Sequence, residues 1–307
     1  MDIILCITQN NSFGALLRNS NNITKYAAKY GNYIILKWAH KCNFPFTETT
    51  IDAAARHGHI NIVKWIIRDK RSTLNTTFNI ANVMDNAARN GHLHVVKWMH
   101  TKLIDCNKHC NHTAYVALEG AVHGGHLHVA KWLHKHCTAR IPNALNYASA
   151  TGHLDIVKWL HKHVSNAICT EDAIDYAASN GHLQVLQYIC SNIPHVAGTM
   201  RAIDYAAKNG YLEVVKFLHQ NYPNIGCTTH AMDEAAAHGH FAILEYLHQI
   251  YPSIGCTANA IEMAIINGYL KVVKWLFVHY PDHFDMNNAL AIAIDENQQH
   301  IIDWLTA

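Results

Sequence analysis

Ala177-Ala178-Ser179-Asn180-Gly181-His182-Leu183 decides the fold of this chain, because variants of the same phrase return along its 307 residues. Gly31, Gly58, Gly91, Gly125, Gly152, Gly181, Gly210, Gly239 and Gly268 occupy one column, with a step that settles at 29 residues from Gly152 to Gly268. Asn297 stands in the column for a tenth copy, since Ile301-Ile302-Asp303-Trp304-Leu305 matches Val272-Val273-Lys274-Trp275-Leu276. A fixed period of this size is the mark of a stacked-repeat architecture. Each copy reads as two short helices broken at the glycine, which takes a positive φ without steric cost. Thr170, Thr199, Thr228 and Thr257 precede a column glycine by eleven residues and are placed to cap the first helix. Pro194, Pro223, Pro252 and Pro281 recur where the second helix must stop.

Small pairs such as Ala54-Ala55, Ala87-Ala88 and Ala206-Ala207 let first helices approach closely. In the second helix, Leu212, Val214, Val215, Phe217 and Leu218 spread over about 220° of the circumference, too wide for a one-sided stripe, so neighbouring repeats must sandwich it. Trp38, Trp65, Trp98, Trp132, Trp159, Trp275 and Trp304 share one position, filled elsewhere by Tyr188, Phe217 and Tyr246. A bulky aromatic on so apolar a helix reads as packing. Lys37, Lys64, Lys97, Lys131, Lys158, Lys216 and Lys274 precede that column and read as a solvated face.

Half of the chain is apolar and 15% is charged, the composition of a globular core. Lys and Arg total 24 against 22 Asp and Glu, and no long basic run exists to follow a phosphate backbone, so nucleic acid is not the expected partner. No stretch approaches the roughly 18 apolar residues of a membrane span, and the apolar run at Ile3–Ile7 is short for a secretory core. A soluble, cytoplasmic protein with reduced cysteines is expected.

The phrase Ala-Ala-x-x-Gly-His-Leu-x-Val-Val-Lys, present from Ala87 to Lys97 and from Ala206 to Lys216 with Tyr211 for His, resembles the helix-turn-helix heart of ankyrin repeats. That resemblance implies an all-α, ankyrin-like helical solenoid of about ten helix-turn-helix repeats over residues 20–307, with residues 1–19 as an N-terminal cap or partial repeat. The Trp-Leu-His endings are similar to divergent arrays numerous in large DNA viruses and amoebae. Two departures stand out. Forms such as Ala173-Ile174-Asp175-Tyr176 replace the family's Thr-Pro-Leu-His, so the family's inter-repeat histidine bond does not transfer. The 29-residue period is shorter than the usual one of about 33, which implies shortened or absent β-hairpin fingers.

The resemblance also implies a non-catalytic scaffold that binds a protein partner on its concave face, as a viral or effector adaptor, and a monomer is expected. Contacts in the family fall on the residues before the turn glycine and near the first helix. Those positions are Arg56, His57, Arg89, Asn90, Ser179, Asn180, Lys208, Asn209 and His238 here, with Tyr147, Tyr176 and Tyr205 as aromatic anchors.

Twelve of the 26 histidines belong to two columns, directly after the glycine and near the end of the second helix, where an imidazole can satisfy a free carbonyl. Asp175, Asp204 and Asp233 form a further column, which reads as solvated or hydrogen-bonded between repeats rather than catalytic. Cys169, Cys227 and Cys256 recur with repeat spacing, too far apart to crosslink. Cys106, His109, Cys110 and His112 escape the repeat logic and supply the residue types of a zinc site. A zinc-stabilised module is therefore the alternative reading. No nucleophile-base-acid set or phosphate loop stands apart from the columns, and an enzyme is not expected.

Overall fold

A computed structural model describes residues 20–68, 80–105, 110–137, 141–165 and 167–307. They fall into two compact units, dividing between Ala144 and Leu145. The first unit holds α1 (Ser20–Lys29), α2 (Tyr33–Lys41), α3 (Glu48–Arg56), α4 (Ile60–Arg68), α5 (Ile80–Arg89), α6 (Leu93–Asp105), α7 (Cys110–His123) and α8 (Leu127–His136). The second holds α9 (Ala144–Ala150), α10 (Leu154–His163), α11 (Glu171–Ser179), α12 (Leu183–Asn192), α13 (Met200–Lys208) and α14 (Leu212–Asn221), followed by α15 (Thr229–Ala237), α16 (Phe241–Ile250), α17 (Ala258–Ile266), α18 (Leu270–His279), α19 (Met286–Asp295) and α20 (Gln299–Leu305). No strand occurs among the described residues. Odd-numbered helices are the first of each repeat and even-numbered ones the second. Within a unit, first helices pack on first helices and second on second.

The small-residue pairs are fully buried, as Ala54-Ala55 and Ala206-Ala207 show, and so are Val215 and Leu218 of α14. Most tryptophans of the aromatic column lie between neighbouring second helices at intermediate exposure, and Trp159 is buried, which fits packing. The lysine column is only partly a solvated face. Lys64 Nζ lies 6.0 Å from the Trp98 ring and Lys97 Nζ 6.0 Å from the Trp132 ring, each reaching over the aromatic of the next repeat.

Every column glycine from Gly31 to Gly268 has a positive φ, and Gly210 shows why no other residue serves. Its φ is +82°, and a Cβ there would come within 2.7 Å of His240 Cε1 in the following repeat. The imidazole is pressed against the turn because its Nε2 lies 3.0 Å from the carbonyl oxygen of Lys208, the last residue of α13. A carbonyl only accepts, so Nε2 carries the proton. His59 meets Lys29 O at 3.0 Å and His92 meets Arg56 O at 2.9 Å in the same way. Gln298 donates Nε2 to Ile266 O at 2.8 Å from the same column. Each ring or amide thus satisfies an orphan helix-end carbonyl of the preceding repeat. An inter-repeat histidine bond therefore exists, carried by a different column from the family's tetrapeptide.

The aspartate column makes a second link. Thr199 donates its backbone N–H to Asp175 Oδ1 at 2.7 Å and its hydroxyl to Asp175 Oδ2 at 2.6 Å. Asp204 with Thr228 and Asp233 with Thr257 repeat the pattern. Each threonine oxygen then accepts from an amide of its own helix, as Thr228 does from His230 N at 3.2 Å. The carboxylate therefore sits at the positive end of the next first helix. Thr170 departs from the expected cap: its hydroxyl receives Asn146 Nδ2 at 2.7 Å and makes no side-chain cap bond.

A third link joins each of two second helices to the residue that ends the second helix of the next repeat. His219 Nδ1 lies 3.3 Å from Tyr251 Oη and His248 Nδ1 2.7 Å from Tyr280 Oη. Cys190 holds the corresponding position in α12, so the buried hydroxyl of its phenol counterpart Tyr222 has only a weakly bonding thiol beside it. Cys190→His should give that hydroxyl an acceptor and stabilise the protein by about 1 kcal/mol in urea unfolding. A less stable variant would refute the pairing.

Gly210→Ala should cost about 2 kcal/mol or more, from the left-handed backbone and the ring behind it. Combined with His240→Ala, the loss should be less than additive, because the clash needs both side chains.

Burial first, and neighbouring histidines, push His182 and His240 below the ordinary imidazole value of 6.5. A folded value below the unfolded one gives stability that is whole above about pH 6.5 and lost as pH falls through the lowered value. His182→Gln with His240→Gln, copying Gln298, should make the acid-side fall in melting temperature shallower; an unchanged profile would show that these rings do not carry it.

Candidate protein-binding edge

The residues before each turn glycine lie at the C-terminal ends of the first helices, where the backbone leaves α geometry and side chains splay to solvent. In the first unit, Arg56 ends α3 and His57 follows it, both exposed. Arg56 Nη2 donates to Asn86 Oδ1 of α5 at 3.1 Å. Arg89 ends α5 with its guanidinium 3.6 Å from Asp85, and Asn90 Nδ2 donates to Asn86 O at 2.8 Å. Desolvation first, and then the cations Lys29, His59 and Arg56, push the His57 imidazole down. Burial pushes the Asp85 carboxyl up while Arg89 draws it back. Gly120 of α7 lies directly against that carboxylate, leaving no room for a Cβ.

The second unit presents tyrosines three positions further from the glycine than Arg56 and Arg89, in a column that the first unit fills once, with Tyr26. Tyr147, Tyr176 and Tyr205 stand five residues before successive glycines and are 38%, 51% and 40% exposed. The residues on either side of Tyr176 and Tyr205 are buried, so only the rings project. Tyr205 meets the His230 ring edge-on at 6.4 Å. Asn180 and Asn209 have spent an amide donor on the preceding repeat, bonding Ala150 O and Ser179 O at 2.8 Å. Lys208 Nζ lies 3.0 Å from Glu234 Oε2, and His238 Nδ1 is 3.6 Å from the same oxygen. Of the edge residues named from sequence, these asparagines and Lys208 thus also brace the array, His238 bonds within its own helix, and the tyrosines present aromatic surface.

Met200, 52% exposed at the start of α13, was not singled out by sequence reasoning. Its signal was present, since an apolar side chain directly after a cap threonine has no core to face. Glu234, which gathers Lys208, His238 and His230, occupies the tyrosine column one repeat on, and only alignment of the columns would have exposed it.

Of the zinc ligands considered, Cys106 and His109 lie outside the described residues, and the side chains of Cys110 and His112 are likewise not described. Among the described residues no group of three or more His, Cys, Asp or Glu could hold a metal ion. His136, near in sequence, has Nδ1 2.8 Å from Trp132 O and stacks on the Trp132 ring. Two of the three column thiols are buried: Cys227 and Cys256 are pushed up to about 12, by burial first and then by the neighbouring Asp204 and Asp233. Such thiols are poor nucleophiles at neutral pH. The aspartates that might have suggested acid-base chemistry hold threonines of the next repeat instead.

Among the described residues no helix is long and apolar enough to cross a membrane. No curated protein matches the chain. Family models do: one described as "Ankyrin repeats (3 copies)" matches residues 83–172, 118–200, 145–233 and 203–289, and one described as "Ankyrin repeats (many copies)" matches 51–100. Because those matches run over most of the sequence and fall on the helix pairs joined at left-handed glycines, the chain belongs to the ankyrin-repeat family, whose repeats are protein-protein interaction modules.

Proposed function

We propose that the protein is a non-catalytic scaffold that holds a protein partner along its first-helix edge, the side that such an array would make concave. The tyrosine column carries this reading. Tyr147, Tyr176 and Tyr205 project at one ring per repeat from a buried framework. A tyrosine offers a large amphipathic contact while losing little rotamer freedom, which is why such residues dominate binding energy at interfaces. Arg56 and His57, two and one residues before Gly58, offer charged and hydrogen-bonding contacts on the first unit. Stacked repeats sum many modest contacts over an extended surface. The similarity of the repeat endings to viral and amoebal arrays supports an adaptor that works in a host cytoplasm.

Lys208 is a poor probe of this edge, because reversing its charge would set two carboxylates together at Glu234. The tyrosines are better. Affinity capture from the native host, followed by mass spectrometry, should lose a specific partner at least tenfold for Tyr147→Ala/Tyr176→Ala/Tyr205→Ala, with little change in melting temperature. An unchanged capture profile from a folded variant would overturn the assignment of this edge.

A further inference from the structure

The second helices of the two units differ in charge. In the first unit, α2, α4, α6 and α8 read YIILKWAHK, INIVKWIIR, LHVVKWMHTKLID and LHVAKWLHKH, with Asp105 as their single carboxylate. In the second unit carboxylates recur as Asp155, Glu213, Glu245 and Asp303, α12 has neither lysine nor carboxylate, and α18 alone keeps lysines with no carboxylate. There Lys216 is paired with Glu213 at 2.8 Å.

The cations of the first unit fall on one helical stripe. Lys37 and Lys41 lie four residues apart on α2, Lys64 and Arg68 on α4, and Lys131 and Lys135 on α8, with Lys97 alone in register on α6. All are exposed except Lys64, which is partly so. Among the described residues none of these seven makes an ion pair. His94 and His128 extend the stripe on α6 and α8 without adding a carboxylate. The array repeats at about 6 Å along each helix and at roughly 8–10 Å from one helix to the next.

We propose that this stripe is a second docking surface and that its partner is an acidic protein segment. An extended chain advances about 3.3 Å per residue, so Asp or Glu at every second or third position meets the cation spacing in either direction. Two observations favour a polypeptide over nucleic acid. Lys64 and Lys97 already cover the Trp98 and Trp132 rings, and the His100 ring meets Trp132 edge-on at 5.2 Å, so these aromatics are not open platforms for bases. The family is itself a protein-binding one. The stripe lies on second helices, so it stands or falls separately from the tyrosine edge.

Fluorescence anisotropy of the full chain with a labelled 18-residue Glu/Ser peptide, glutamate at alternate positions, tests the proposal. Binding should weaken steeply with added salt. It should drop at least tenfold for Lys37→Glu/Lys64→Glu/Lys97→Glu/Lys131→Glu, and less for the corresponding Gln set, which removes charge without adding repulsion. Lys158→Glu/Lys274→Glu in the second unit should change it less than twofold, and Tyr147→Ala/Tyr176→Ala/Tyr205→Ala should leave it intact. Lysine acetylation footprinting of the unaltered protein gives a reading independent of how the variants fold: peptide should protect Lys37, Lys97 and Lys131 but not Lys158. Absence of peptide binding, equal affinity in folded variants, or no protection overturns the proposal. So does tighter binding of a duplex DNA, or of phosphatidylserine vesicles, to the same lysines.

Discussion

An aromatic or amide side chain pressed against the turn glycine of the preceding repeat is the contact on which each unit depends. At Gly210 the His240 ring occupies the space of a Cβ while its Nε2 donates to the last carbonyl of α13. One side chain thereby fills a void and satisfies a helix end, and its seat exists only because glycine bares the backbone. Tyr211 and Tyr269 fill the same space against Gly181 and Gly239 with phenol rings. What the column conserves physically is a flat group over a bare turn, and the hydrogen bond is added where that group can donate.

The aspartate-threonine pairs work at the opposite end of the first helices. Asp175, Asp204 and Asp233 each receive a hydroxyl and a backbone N–H from a residue 24 positions on. A first helix in the middle of the second unit is thus held at its N-terminus by the repeat before it and at its C-terminus by the repeat after it. This bracing explains how short helices, marginal alone, persist in the array. It also leaves the edge between the two links free to vary, with tyrosines on successive repeats of one unit and arginines on the other.

The two units have turned the same backbone to different surface chemistry. Second helices of the first unit carry cations with one carboxylate, while those of the second carry both signs. Net charge near zero conceals this, because composition averages over both units.

The sequence by itself determined the repeat, the helix pairs, the glycine turns and the buried alanines, since each follows from the local demands of φ, capping and periodicity. Helices α12, α14, α16 and α18 end shortly before Pro194, Pro223, Pro252 and Pro281, as the proline column requires. A hydrogen-bonding role for the aspartates between repeats was legible as well, from their repetition alone. Only the tertiary structure decided what the columns touch. That Asp204 meets Thr228, that His240 reaches Lys208, and that Cys190 sets only a thiol beside the Tyr222 hydroxyl all depend on residues brought together across a repeat. A column states which residues are equivalent; the offset between stacked helices states which of them meet, and that offset is set by packing rather than by any local preference of the chain.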